Sequence, residues 1–113
     1  MKYHIAVIQP DKHDAQLDEL ERREIHKATV TSVLGRGRQK GIAEVYRSHK
    51  EAGSLLRKVK LEIAVNDEFC ESAVEAISTS ASTGQTGDGK IFVLDLQECV
   101  RIRTEERGTE AIG

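Results

Sequence analysis

Lys58-Val59-Lys60-Leu61-Glu62-Ile63-Ala64-Val65 alternates without a break. Val59, Leu61, Ile63 and Val65 point one way; Lys58, Lys60, Glu62 and Ala64 point the other. A period of two residues is the signature of a strand buried on one face only. Downstream, Asn66 or Asp67 can cap a helix. Cys70, Ala73, Val74 and Ile77 then fall at i, i+3, i+4 and i+7, one face of an amphipathic helix. That helix fades into the small residues Ser78–Gly84. Ile91–Leu96 reads as another strand, and Val100-Arg101-Ile102-Arg103 as a last short extended stretch before a polar tail.

Upstream, the stretch from Gly37 to about Leu56 is polar and weakly periodic. An irregular segment of this length in a small domain marks function or disorder. Gly35-Arg36-Gly37-Arg38-Gln39-Lys40-Gly41 breaks the Thr- and Val-rich strand Ala28–Leu34. Before it, Asp11 and Asp14 suit a helix start, where carboxylates face the positive end of the dipole. Ala15, Leu17 and Leu20 give this helix a thin apolar stripe. Tyr3–Ile8 is a short buried strand ending at Pro10. The order is β-α-β-loop-β-α-β. It predicts an α+β fold of the ferredoxin-like βαββαβ kind, an antiparallel sheet backed by two helices.

The chain has 113 residues, enough for one domain, spanning 1–113. Charged residues make up 32%, but the signs nearly cancel at net −2, unlike a nucleic-acid binder. Apolar runs such as Ile5–Ile8 fall far short of the roughly 18 residues a membrane span needs. Met1-Lys2-Tyr3-His4 enters a strand with no signal-peptide pattern, so the expected location is cytoplasmic. Cys70 and Cys99 make neither a disulfide framework nor a zinc motif, and read as small core residues. His4, His13, His26 and His49 show no metal-ligand spacing.

Residues 83–90 read Thr-Gly-Gln-Thr-Gly-Asp-Gly-Lys. Such glycines let backbone N–H groups converge on an anion, and the terminal lysine supplies a point charge for phosphate. Gly84–Lys90 satisfies the first part of a Walker A pattern, and the match then fails twice. Ile91 replaces the Mg²⁺-binding hydroxyl, and a strand follows where a P-loop opens a helix. Asp-Gly alone also reads as a turn. Arg101 and Arg103, two apart on an extended stretch, would leave one face as a phosphate clamp. Arg36, Arg38 and Lys40 form a second basic cluster among glycines.

Together these motifs resemble the PII nitrogen-regulatory signal-transduction proteins across nearly the whole chain. Thr83–Val93 is similar to the family's nucleotide loop (about 82–90) and the strand after it. Gly35–Gly41 resembles the entry to its T-loop (about 37–55), which carries Tyr46-Arg47. Lys58-Val59-Lys60 resembles the exit, and Arg101-Ile102-Arg103-Thr104 opens the C-terminal loop (about 101–113). The resemblance implies a homotrimer with nucleotide sites in the clefts between subunits, where ATP and ADP compete. Residues matching Gly37, Arg38, Gly87, Asp88, Gly89 and Lys90 would hold phosphates, with Arg101 and Arg103 reaching in from a neighbour. Thr29, Glu62 and Ala64 would surround the adenine. With Mg²⁺ and ATP in place, 2-oxoglutarate would bind near Gln39, Lys40, Gly41, Lys58 and Gly87. Gln39 would contact the metal and Lys58 the distal carboxylate.

The resemblance therefore implies a non-enzymatic sensor with no catalytic residues. It would act through its T-loop on a target such as an ammonium channel, a biosynthetic enzyme, nitrogenase or a transcription regulator. A divergent paralogue reading adenine nucleotides only, or regulating a non-standard target such as nitrogenase, is the alternative. An ATPase lacks its Walker A hydroxyl and an evident base. An RNA-binding module would need stacking aromatics, and only Tyr3, Tyr46, Phe69 and Phe92 exist. The chain departs from the family at four places. Glu51 stands where the modified T-loop tyrosine would be, which excludes nucleotidylation there. Ser82 replaces an arginine, Lys27 a glycine and Glu105 a glycine.

Overall fold

A computed structural model describes residues 1–36, 55–84 and 87–113. The strand that opened the reading is β3 (Leu55–Val65), three residues longer at its start than its alternation alone required. It pairs antiparallel with β1 (Lys2–Ile8) on one side and β2 (Thr29–Arg36) on the other. β4 (Gly89–Asp95) pairs antiparallel with the far side of β1, so the sheet order is β2-β3-β1-β4. Helices α1 (His13–Arg22) and α2 (Cys70–Ala81) are the two crossovers. This is the expected βαββαβ arrangement.

The core lies between the sheet and the helices. Val59, Leu61, Ile63 and Val65 are all at most 5% exposed, as their alternation predicts. Ala6 and Ile8 join them from β1, and Ala73, Ala76, Ile77 and Ala81 from α2. Alanines along α2 let its backbone come close to the sheet and to Leu20 of α1. Arg23 ties the helices at their outer edge, donating to Glu19 (3.1 Å) and Glu75 (3.1 Å). No described helix is long and apolar enough to cross a membrane.

Several local expectations are corrected. Gly35 and Arg36 do not break β2; they continue it, paired with Leu56 and Leu55. The ladder satisfies their backbone groups, which outweighs the poor strand propensity of glycine. In α1 the buried positions are Gln16 and Leu20, while Ala15 is exposed. The helix begins after a 3-10 turn at Pro10–Lys12, and neither Asp11 nor Asp14 makes a capping hydrogen bond. Asn66 and Asp67 do not cap α2 either. A 3-10 turn, Asp67–Phe69, intervenes; Asn66 donates to Thr109 O (3.2 Å), and Asp67 accepts from the Met1 amine (2.8 Å). Cys70 and Cys99 are half-buried rather than core residues. Val100–Arg103 is not a strand. Val100 makes one bridge to Arg107, and residues 102–104 turn, closed by Glu105 N–H on Arg101 O (2.7 Å). A four-residue helix, α3 (Thr109–Ile112), follows.

His4 is fully buried, with Nε2 3.2 Å from Cys70 O and Nδ1 unpartnered among the described residues. Burial pushes its pKa below the ordinary 6.5, so the folded state favours the neutral ring. The unfolded chain then binds more protons as pH falls through about 6.5 towards the folded value, and stability drops across that window. Urea midpoints at pH 7.5 and 5.5 should show this loss. In His4→Leu, the part of the pH dependence that belongs to this ring should vanish.

Candidate functional site

The face of the sheet away from the helices is built in rows by the register. Thr29 stands opposite Glu62, Glu62 opposite Ile5, and Ile5 opposite Phe92. The next row along is Thr31, Lys60, Val7 and Lys90. Beyond it, Val33 faces Lys58. On the other side of the Glu62 row, Ala64, Tyr3 and Leu94 align. Phe92 and Leu94 remain 51% and 46% exposed, since no described element of this chain covers them.

The glycine-rich loop enters at the Lys58 end of this face. Gly84, Gly87 and Gly89 all have positive φ, 77°, 102° and 110°. At Gly89 a Cβ would sit 2.0 Å from Val7 O, so glycine is what lets β4 approach β1. Asp88 closes the loop on itself, accepting from the backbone N–H of Thr83 (2.8 Å) and Gly84 (3.0 Å) and from the Thr83 hydroxyl. Gly87 O accepts from Gln9 Nε2 (2.8 Å) and from Lys58 Nζ (3.4 Å). Partial burial holds the Lys58 pKa below its ordinary value. The exposed side chain of Lys90 makes no hydrogen bond or ion pair among the described residues.

Thr29, Glu62 and Ala64 fall together at the other end of the face. Glu62 accepts from the Tyr3 hydroxyl and lies 3.5 Å from Lys60 Nζ. The Tyr3 hydrogen bond, with a smaller contribution from Lys60, lowers the Glu62 pKa; the same bond raises that of Tyr3. Ala64 also lines a cavity of about 140 Å³ with Ile25, Lys27, Val65, Phe69 and Ile112. Lys60 escaped the sequence reading as a site residue. Its alternation with Lys58 placed it on the polar face, but only the β1 register sets it across Val7 from Lys90.

Arg101 and Arg103 do not lie on an extended stretch. The turn at 102–104 replaces the extended stretch that would have put both on one face. Arg101 folds back on its own segment, with Nη1 2.6 Å from Glu106 Oε1, whereas Arg103 is exposed and unbonded among the described residues. They also lie far from the loop. β1 ends at Ile8 opposite Gly89 and begins at Lys2 opposite Val65, about 20 Å away along the strand. The C-terminal segment is fastened at the Lys2 end, by Asn66 to Thr109 O and by Lys27 Nζ to Gly113 O (3.2 Å). Glu105, where the resemblance has glycine, takes φ 63°, a conformation glycine adopts at less cost. Gly37, Arg38, Gln39, Lys40 and Gly41 lie outside the described residues, as does the T-loop to residue 54. Among the described residues, no group of three or more His, Cys, Asp or Glu side chains is arranged to hold a metal ion.

Sequence and structure comparisons identify the family to which this fold belongs. The family model described as "Nitrogen regulatory protein P-II" matches residues 1–106. Nitrogen regulatory protein GlnK1 of Methanosarcina mazei is 54% identical over 99% of this chain and 97% of its own. Nitrogen regulatory protein P-II of Rhizobium etli is 51% identical over 99% and 100%. The crystal structure of Arabidopsis thaliana PII bound to citrate superposes with a TM-score of 0.80 at 32% identity, covering 98% of this chain and 88% of that one. The chain belongs to the P-II nitrogen regulatory protein family. It is a regulatory signal-transduction protein rather than an enzyme.

The Gly89–Val7 approach yields a direct test. Gly89→Ala should destabilise the fold by about 2 kcal/mol or more, because both the positive φ and the carbonyl oppose a Cβ. Urea denaturation measures it.

Proposed function

We propose that this protein is a cytoplasmic, non-enzymatic sensor of ATP and ADP, and of 2-oxoglutarate when Mg²⁺ and ATP are bound. It works as a homotrimer and regulates nitrogen-metabolism targets through residues 37–55. The observation that carries this reading is the glycine-rich loop beside Lys58, Lys60 and Lys90 at one end of a sheet face that no described element covers. Thr29, Glu62 and Ala64, the adenine candidates, occupy the other end of the same face.

One chain spreads these groups over the width of the sheet and keeps Arg101 and Arg103 at its far end. A second copy is the simple way to bring arginines to the loop. The exposed Phe92 and Leu94 favour association, since burying such side chains against another copy removes apolar surface from water. The site gathers cationic side chains suited to phosphate and carboxylate oxygens. Lys58 suits a carboxylate in particular, because its amine stands partly desolvated beside the loop. The citrate in the Arabidopsis PII structure, a polycarboxylate, supports a carboxylate ligand. Mg²⁺ would offset the repulsion between a triphosphate and a dianion. By family resemblance Gln39 would hold it, with Gly37, Arg38, Lys40 and Gly41 nearby. Asp88 shapes the loop, while Gly87, Gly89 and Lys90 face the phosphates.

Calorimetry tests the reading. ATP should bind, and Lys90→Ala or Arg103→Ala should each weaken it by about 1.5–3 kcal/mol. With Mg²⁺ and ATP saturating, 2-oxoglutarate should give heat that Lys58→Ala abolishes while ATP binding persists. No heat from either ligand overturns the proposal.

A pH series extends it. With its pKa held below the ordinary 10.5, Lys58 loses its charge earlier than a solvated lysine as pH rises. Affinity for 2-oxoglutarate should therefore fall at a lower alkaline pH than an exposed lysine would produce, and calorimetry across pH 7 to 10 reads this out.

A further inference from the structure

Arg101 is the centre of residues 99–113, and both of its Nη groups are already engaged. Nη1 donates to Glu106 Oε1 at 2.6 Å, and Nη2 to the carbonyl oxygens of Glu110 (3.1 Å) and Gly113 (2.8 Å). A guanidinium grips a phosphate through two parallel N–H bonds on one edge. Each of its two such edges, Nε with Nη2 and Nη1 with Nη2, has a donor engaged here. An anion cannot take a bidentate grip without displacing an acceptor of this chain.

Glu106 is the charged side chain of that set, and the backbone delivers it. Arg101 N–H donates to Glu106 O (2.9 Å), and the Val100–Arg107 bridge frames the turn. The Thr104 hydroxyl donates to the same Oε1 at 2.7 Å. The Thr104 bond and the Arg101 charge hold the Glu106 carboxyl below its ordinary pKa, so it stays an anion. Both side chains are partly exposed, 28% for Arg101 and 39% for Glu106, so a ligand can reach the pair.

We propose that Glu106 is a positioning residue that sets the strength of the phosphate site by holding Arg101 within its own chain. A polyphosphate must displace the Glu106 carboxylate to use the guanidinium. The same exchange takes Arg101 from Glu110 O and Gly113 O and loosens α3, whose Ile112 lines the cavity beside Ala64. This rests on the reading above, that Arg101 serves a phosphate site on a neighbouring copy.

Calorimetry with ATP and with sodium tripolyphosphate, on wild type and Glu106→Gln, tests it. The variant keeps the side-chain volume and removes the competing charge. It should bind both ligands about three- to tenfold tighter, the scale of a partly exposed charged hydrogen bond. A gain for tripolyphosphate separates competition for Arg101 from any structural change at the base end. Hydrogen exchange on the wild type is the second measurement and does not depend on the variant folding. Saturating ATP should speed exchange at the amides of Gly108 and Ala111, which are bonded to Cys99 O and Gly108 O. Equal or weaker ligand binding by a folded Glu106→Gln overturns the proposal, as does unchanged or slowed exchange. If neither ATP nor tripolyphosphate binds the wild type, the nucleotide reading falls and this proposal falls with it. Binding without these changes removes this proposal alone.

Discussion

The ladder along β1 is the constraint on which the rest of the structure depends. Each of its seven residues is paired on both sides, with β3 and with β4. Side chains alternate faces, so a one-residue slip on either side would send Val59, Leu61, Ile63 and Val65 into solvent or Ile91 out of the core. The hydrophobic pattern thus locks the register, and the register sets the polar face. Lys60 and Lys90 flank Val7, and Thr29 meets Glu62, because the core positions between them allow no other pairing. Gly89 completes the constraint at the loop end, where its missing Cβ admits the Val7 carbonyl.

That geometry also divides the candidate site. A central strand of seven residues separates the glycine loop from the C-terminal segment by the length of the sheet. Arg101 cannot serve its own loop and is instead bonded to Glu106, Glu110 and Gly113. The uncovered face, the split site and the occupied arginine make sense together if the ligand site is shared between copies. Among the described residues of a single chain, Phe92 and Leu94 stay exposed, and Lys90 and Arg103 make no hydrogen bond or ion pair.

Most of the fold was legible because its signals are local. The alternation at 58–65 and the helical spacing at 70–77 each encode one element and its inner face. The readings that failed depended on partners distant in sequence. Asn66 and Asp67 have good capping chemistry, but Thr109 and the Met1 amine claim their side chains. Gly35 looks like a strand breaker until β3 lies beside it. Val100–Arg103 has a strand-like pattern, but with one bridge in place of a ladder it turns, and the turn takes Arg103 off the extended line from Arg101.

By itself the sequence determined the order of elements, the inner face of β3 and α2, the anion-suited chemistry of the glycine loop and, through its motifs, the family. Period and residue type are enough for these, since each is a property of a short segment. Only the tertiary structure decided which charges meet. It set Lys58 on the Gly87 carbonyl, aligned Lys60 with Lys90 across Val7, and turned Arg101 to Glu106 at the end of the sheet opposite its own chain's glycine loop. Those placements follow from β-sheet register and chain reversal, which couple residues far apart in sequence, and no local pattern contains them.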